Sequence, residues 1–324
     1  MVILVAGGAG FVGSHLCERL IADGHEVLCL DNLVTGRLGN LSPVRDHPRF
    51  RFIHHDIIDA LPSLPRVEQI YHLASPASPP AYQRHAVETM RVNGEGTRRL
   101  LDVALRDGAR HLFASTSEVY GDPLEHPQRE DYRGNVSTTG PRSMYDEAKR
   151  YGEALLMAYQ QALGADVRIV RIFNTYGPRM DPCDGRVVSN LIVRSLRGEP
   201  LPVYGDGQQT RSFQYVDDLV EGLVRLMASD YSGPVNIGNP TELTVLELAH
   251  LIRELTGSEA PIEFCPLPGD DPKLRRPDIE LAKAVLGWEP IVALRDGLLR
   301  TIAYFRDELR GSRAATANAS AAER

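Results

Sequence analysis

Continuous apolar runs alternate with amphipathic stripes through the first half of the chain. Val2-Ile3-Leu4-Val5 opens the series; Glu26 to Leu30, Phe50 to Ile53, Gln69 to Ala74, His111 to Ala114 and Ala165 to Phe173 continue it. Unbroken apolar runs are the pattern of strands buried on both faces. Between them, Ser14 to Asp23, His85 to Asp107 and Tyr145 to Leu163 place apolar residues at helical spacing with flanking charge. Strands alternating with helices predict right-handed crossovers and a parallel sheet. After Pro178 the pattern is irregular. A short strand is expected at Leu201 to Tyr204, a helix at Asp217 to Met227 and a buried strand at Val235 to Gly238. Helices are expected at Leu243 to Thr256, with Thr244 as N-cap, and at Ile279 to Leu286.

The expected class is α/β, a Rossmann-type doubly wound parallel sheet with a smaller, interleaved C-terminal substrate-binding region. The sheet domain takes residues 1–178 and about 210–240; the second takes about 179–209 and 241–310. From Gly311 the chain is rich in Ala, Ser and Arg and is expected to be a disordered tail, 311–324. No internal repeat is present.

Composition narrows the class little further. The 324 residues are 43% hydrophobic and 24% charged, with a net charge of -7 and no basic block, so nucleic acid is not an expected partner. No apolar run approaches the roughly 20 residues of a membrane span. The first strand begins at Val2, which on this reading leaves no room for a leader or anchor, and the cytoplasm is the expected location. The four cysteines have no metal-ligand spacing and no metal is expected; Cys17 and Cys29 read as buried thiols.

The chemistry begins at Gly7-x-x-Gly10-x-x-Gly13, which sits between the first strand and the first helix. In that context glycines let the backbone turn tightly and approach a pyrophosphate at the helix N-terminus. The second strand ends at Asp31, an acid that suits a ribose diol and repels a 2′-phosphate, favouring NAD over NADP. Asp56, at the end of the third strand, is placed to meet the adenine amino group. Ser75-Pro76-Ala77-Ser78-Pro79-Pro80-Ala81-Tyr82 reads as a stiff loop at a strand's carboxyl end.

The fifth strand ends in Ser115-Thr116-Ser117-Glu118, and a carboxylate there can act as acid or base or steer a charged substrate. Tyr145 and Lys149 lie four apart, on one face of a helix. A cation beside a phenol lowers its pKa, so Tyr145 is expected to take a proton from a sugar hydroxyl. The alternative is an ordinary surface pair. Arg186, Arg211, Arg275 and Arg276 suit bidentate phosphate recognition, with solvated surface charge as the alternative.

Taken together, these residues resemble the extended short-chain dehydrogenase/reductase superfamily and, within it, the UDP-glucuronate decarboxylases (UDP-xylose synthases), from about Val2 to Leu309. The narrower signatures are His72-Leu73-Ala74-Ser75-Pro76-Ala77-Ser78-Pro79-Pro80, Thr116-Ser117-Glu118-Val119-Tyr120-Gly121-Asp122-Pro123, Gly140-Pro141-Arg142, Tyr145-Asp146-Glu147, Gly185-Arg186-Val187-Val188-Ser189-Asn190 and Gln209-Thr210-Arg211-Ser212-Phe213-Gln214-Tyr215-Val216.

The resemblance implies that Tyr145, lowered by Lys149, takes the C4 hydroxyl proton while bound NAD+ takes the hydride. The 4-keto sugar then loses its carboxylate as CO2, the C5 enolate is reprotonated, and the ketone is reduced to give UDP-xylose. Glu118 and Thr116 would act at this centre, and Arg275 would be a proton donor or carboxylate partner. Gly7, Gly10, Phe11, Val12 and Gly13 would hold the cofactor's pyrophosphate turn. Asp31, Asn32, Thr35, Gly36, Asp56 and Ile57 would hold its adenosine half, with Leu73, Ser75, Thr175 and Arg186 elsewhere on it. Asn174, Ser189, Tyr204 and Gln209 would line the nucleotide-sugar site, with Arg211 on the diphosphate. The helices of His85–Asp107 and Tyr145–Leu163 would pair into a homodimer.

Three departures from the family pattern are Ser137-Thr138-Thr139, Ala148 and Tyr151-Gly152, none at the proposed chemistry. A UDP-sugar (UDP-glucuronate) 4-epimerase is the rival, and a small residue is usual there at the position of Glu118. A 4,6-dehydratase would carry an Asp where this chain has Ser117. A decarboxylase that releases the UDP-4-keto-pentose, and a non-catalytic NAD-sensing protein, complete the alternatives.

Overall fold

Six apolar runs of the first half and one of the second assemble into a single seven-stranded sheet. The structure, a computed structural model, describes residues 1–266 and 274–322. The strands are β1 Val2–Ala6, β2 Glu26–Asp31, β3 Phe50–His54, β4 Gln69–His72, β5 Arg110–Thr116, β6 Val167–Ile172 and β11 Pro234–Ile237. Their order is β11-β6-β5-β4-β1-β2-β3, and every pair is parallel. Ile3, Leu4, Val5 and Ala6 are fully buried, as are Leu112 and Phe113, because helices cover both faces. The chain builds outward from β1 to β3 and then crosses to β4 on the other side. This reversal opens a crevice at the carboxyl ends of β1 and β4, where open α/β sheets bind ligands.

The helices are α1 Phe11–Ala22, α2 Pro79–Arg84, α3 Ala86–Arg91, α4 Thr97–Asp107, α5 Ser143–Leu163, α6 Val187–Arg197, α7 Val216–Ala228, α8 Val245–Thr256, α9 Glu280–Leu286 and α10 Leu294–Ala322. Short strands complete the second half. β7 (Thr175–Tyr176) pairs with β10 (Gln214–Tyr215), β8 (Leu201–Tyr204) with β13 (Ile262–Cys265), and β9 (Thr210–Ser212) with β12 (Glu242–Thr244). Thr244 caps α8 as expected: its hydroxyl accepts from the Glu247 N–H, and the Glu247 carboxylate accepts in return from the Thr244 N–H. Cys17 and Cys29 are buried free thiols.

Three expectations change. The continuous helix His85–Asp107 is two helices joined by one π-helical turn at Val92–Gly96. Gly96 is pressed against Ile57, where a Cβ would come within 2.7 Å of the Ile57 side chain, and Asn93 donates to the Thr89 carbonyl at 2.8 Å. Periodicity carries neither constraint. The proline-dense loop contains helix α2, because prolines 79 and 80 occupy the first helical positions, where a missing N–H costs nothing. Helix α10 continues past Gly311, where composition favours disorder; its alanines have high helix propensity, and only residues 323–324 of that tail lie outside the described residues.

Candidate active site

Two neighbouring spaces occupy the crevice. The first surrounds the glycine turn. Gly7 donates its N–H to the Leu30 carbonyl at 2.8 Å, tying the turn to the end of β2. Its φ is +82°, and a Cβ on Gly7 would lie 2.6 Å from the Ala74 nitrogen; one on Gly13 would lie 2.1 Å from the Gly7 carbonyl oxygen. Side chains are therefore excluded at both positions, and the backbone itself forms the floor beneath the start of α1.

Asp31 is buried at the end of β2. Its carboxylate accepts from the Ala9 N–H at 3.0 Å and the Leu33 N–H at 2.8 Å. Burial raises its pKa, and those two N–H groups oppose the rise. Gly7, Gly10, Asp31, Asn32, Thr35, Asp56, Ile57, Leu73 and Ser75 all border this groove. Asp56 accepts from the Asn32 side-chain amide at 2.8 Å, and Gly36 packs directly against the Asp31 carboxylate. The glycine floor and the acid at the ribose position fit the adenosine and pyrophosphate parts of a dinucleotide.

Leu73 and Ser75 also border the second space, a cavity of about 580 Å³. It is lined by Phe11, Val12, Thr175 and Arg186 from the expected cofactor set, by Asn174, Tyr204, Gln209 and Arg211 from the expected substrate set, and by Thr116, Glu118, Tyr145, Lys149 and Arg275. Residues from widely separated stretches of the chain, from Phe11 to Arg275, therefore face one volume.

Tyr145 lies in the first turn of α5, and its ring stacks on Tyr82 of α2 with centroids 4.9 Å apart and planes 8° from parallel. Lys149, one turn further, donates to the Ala114 carbonyl of β5 at 2.7 Å, and its Nζ is 5.8 Å from the Tyr145 ring centre. The electrostatics differ from the sequence expectation. Burial raises the Tyr145 phenol above its ordinary value, and the main opposing influence is a hydrogen bond with Thr116, not the Lys149 charge. Lys149 is itself buried, which lowers its pKa to about 7, against a smaller upward pull from Glu153. The pair shares a helix face, but desolvation outweighs the mutual charge effect that spacing suggested.

Glu118 sits on a 3-10 turn, Ser117–Tyr120, whose cap is the Thr116 hydroxyl accepting the Glu118 N–H at 3.3 Å. Arg275 meets its carboxylate with two nitrogens, Nη1 on Oε1 at 2.7 Å and Nη2 on Oε2 at 3.0 Å. Arg142 reaches the same Oε2 from the start of α5, and its Nε lies 3.9 Å from the Asp146 carboxylate. Asp146 is buried, and its Oδ1 has no hydrogen-bond partner among the described residues. Burial, followed by the Glu118 charge, pushes its pKa up to about 7.

Arg142 and Asp146, though inside the signature strings, and Tyr82, in the stiff loop, were given no role in the site by sequence reasoning. The spacing of Arg142 and Asp146, one helical turn apart beside Tyr145, was an available signal. Other predicted residues fall differently. Ser189 is fully buried, with its hydroxyl donating to Asp184 at 2.6 Å; it does not border the cavity, because the turn of α6 presents Val188 and Asn190 instead. Arg276 pairs with Glu242 at 3.2 Å, away from the cavity that its neighbour Arg275 lines. Arg186 borders the cavity while paired with Asp184 at 2.6 Å. Arg211 is buried and donates to the Thr210 carbonyl at 2.8 Å. Among the described residues no group of His, Cys, Asp and Glu is placed to hold a metal ion.

The NAD dependent epimerase/dehydratase family model matches residues 3–238. UDP-glucuronic acid decarboxylase 1 of Danio rerio is 56% identical over 307 residues, covering 95% of this chain and 73% of that protein. The crystal structure of a UDP-glucose 4-epimerase with UDP-glucose from Thermotoga maritima superposes with a TM-score of 0.88 at 34% identity, covering 95% of this chain and 100% of that one. A UDP-glucuronic acid 4-epimerase mutant from Bacillus cereus, in complex with a 4-deoxy-4-fluoro substrate analogue and NAD, gives 0.86 at 30% identity, covering 95% and 99%.

Proposed function

This chain belongs to the NAD dependent epimerase/dehydratase family, and from that premise we propose that it converts UDP-glucuronate to UDP-xylose and CO2 with a recycled NAD. The observation that carries the reading is the Glu118 carboxylate held by Arg275 and Arg142 in the same cavity as Tyr145. The 56% identity to a protein named as a UDP-glucuronic acid decarboxylase supports it.

NAD would be held by the glycine turn, by Asp31 and Asp56 on the adenosine side, and by Leu73, Ser75 and Lys149 toward the cavity. Bound there, it supplies the acceptor that takes a hydride from the sugar's C4 and later returns it. The chain's own residues handle protons and charge. Tyr145 removes the C4 hydroxyl proton, with the Thr116 hydroxyl favouring the phenolate.

Oxidation at C4 makes the sugar a β-keto acid. The C5–carboxylate bond can then break, with its electron pair flowing into the C4 carbonyl and CO2 leaving. Arg275 and Arg142 would supply positive charge to the sugar carboxylate, while Glu118 partly neutralises them. An unopposed guanidinium pair would stabilise the bound carboxylate and resist its loss. Arg211 supplies charge for the diphosphate, and Asn174, Tyr204 and Gln209 line the nucleotide-sugar part.

A second reading, a UDP-sugar 4-epimerase, draws on the structural neighbours. Following the sugar signals by NMR after mixing the protein with UDP-glucuronate and catalytic NAD+ separates the readings. UDP-xylose without standing NADH is expected. UDP-galacturonate would overturn the proposal in favour of epimerisation, and a UDP-4-keto-pentose with stoichiometric NADH would mean that the ketone escapes.

The proposal extends to organisation. The large sheet, residues 1–178 with about 210–240, would serve NAD, and about 179–209 with 241–310 the UDP-sugar. Val87 and Met90 on α3 and Tyr151 on α5 leave apolar surface exposed, and a homodimer would bury it through these helices. The reading places the protein in the cytoplasm; among the described residues no helix is long and apolar enough to cross a membrane.

A further inference from the structure

Arg275 belongs to a short segment that enters α9 without regular structure of its own, apart from one bridge between Pro277 and Gln128. Its partner Glu118 lies 157 residues earlier in the chain. Something must set the distance between two groups on such different supports.

Gln128 makes most of the connections. Its backbone N–H donates to the Arg276 carbonyl at 2.9 Å, and its carbonyl accepts from the Asp278 N–H at 2.8 Å. Its side-chain oxygen accepts from the Arg276 N–H at 2.8 Å, while its side-chain N–H donates to the Glu125 carbonyl at 2.8 Å. The residue directly after Arg275 is thus gripped on both its N–H and its carbonyl by one fully buried glutamine.

That glutamine is anchored to the sheet by Asn236 of β11. The Asn236 amide, also fully buried, donates to the Gln128 carbonyl at 3.0 Å and the Asp278 carbonyl at 3.2 Å, and accepts from the Tyr120 hydroxyl at 2.7 Å. Tyr120 ends the same 3-10 turn that carries Glu118. The connections close a ring running from Glu118 through Tyr120, Asn236, Gln128 and Arg276 to Arg275, and from Arg275 back to Glu118. Each amide makes the bonds that its burial demands, so the ring tolerates little displacement.

From this closed ring we infer that Gln128 is a positioning residue, anchored by Asn236, which sets the Arg275 guanidinium against Glu118 for the decarboxylation step. The inference rests on the decarboxylase reading. Gln128 lies outside the cavity lining and touches no reacting atom, so its effect must pass through Arg275. Oxidation at C4 depends on Tyr145, Lys149 and Thr116, none of which bonds to Gln128.

The test compares Gln128→Met with wild type, both NAD-loaded, in single turnovers with UDP-glucuronate. Absorbance at 340 nm reads C4 oxidation, and released CO2 is counted separately. Methionine keeps the length and loses the acceptor for the Arg276 N–H. Expected is CO2 release slowed roughly 30-fold with C4 oxidation within about twofold, an order of effect in keeping with displaced catalytic geometry. In an Arg275→Ala background the same change is expected to cost nothing more, since the two act as one unit.

Unchanged CO2 release in the folded variant, equal slowing of both steps, or an additive loss on Arg275→Ala would each overturn the inference. Should Gln128→Met not fold, Gln128→Leu, which also lacks an acceptor for the Arg276 N–H, is read by the same two steps and the same background. A wild type that releases no CO2 counts against the decarboxylase reading itself. A normal wild type beside an unaffected variant counts against Gln128 alone.

Discussion

The Arg275 guanidinium engages both oxygens of the Glu118 carboxylate, at 2.7 and 3.0 Å, with both side chains buried. Arg142 bears on the same carboxylate, so two cations share one anion at the edge of the cavity. Removing a single partner of such a group leaves buried charge without compensation. Glu118→Gln is therefore expected to keep NAD bound while slowing CO2 release by about 100-fold, the scale of one lost transition-state contact. Cofactor content by absorbance and CO2 counting check both halves, and full activity would remove Glu118 from the mechanism.

Tyr145 is the base proposed for the first step, and burial raises its pKa. Tyr145→Phe is expected to slow C4 oxidation by about 100-fold or more. In the parent enzyme the oxidation rate should still be climbing with pH above about pH 9, because burial raises the phenol above its ordinary value and phenolate forms only in the alkaline range. Thr116→Val should move that limb to higher pH, because the lost hydrogen bond favours the phenolate. Stopped-flow absorbance of NADH across pH decides; a normal rate in Tyr145→Phe would refute the assignment.

Asp146 gives a stability prediction. Its folded pKa is raised to about 7 from an ordinary 3.8, with Glu118 and Glu147 adding to burial while Arg142 and Arg275 oppose it. Between those values the folded state binds more protons than the unfolded, so this group's contribution to stability falls as pH rises from about 4 to about 7. Asp146→Asn removes that slope. Relative to wild type, the variant should gain on the order of 2 °C or more in Tm at pH 8 and little at pH 4. Equal differences at both pH values in thermal melts would refute the buried acid.

Exposed apolar residues predict assembly. Val87 and Met90 are 66% and 52% exposed on α3, and Tyr151 is 56% exposed on α5. If these helices pair with a second copy, Met90→Glu should convert a dimer to monomer in sedimentation velocity. A wild type that sediments as a monomer would refute the pairing.

Asp31 tests the cofactor preference. Asp31→Ser is expected to weaken NAD binding about tenfold, as expected for a lost charge-assisted hydrogen bond, and to narrow the preference over NADP. Titration calorimetry with both cofactors reads the ratio, and an unchanged ratio would place the discrimination elsewhere.

The alternation of strands and helices through the first half, the parallel class of the sheet and the glycine turn with its acid at the next strand end were legible in the sequence. Each depends on neighbours in the chain: an apolar run long enough for a doubly buried strand, glycines spaced between a strand and a helix, an acid at a strand end. Gly7, Gly13 and Asp31 needed no distant contact to be recognised. Tertiary structure decided what depends on burial and on remote partners. It buried Lys149 and Tyr145 deeply enough for desolvation to dominate their charge states, turned Ser189 away from the cavity onto Asp184, and drew Arg142 and Asp146 into the site. It also brought Arg275 to Glu118 through Gln128 and Asn236. Local spacing determines which residues share a face; how much water surrounds them, and which distant segment closes over them, is set only when the whole chain packs.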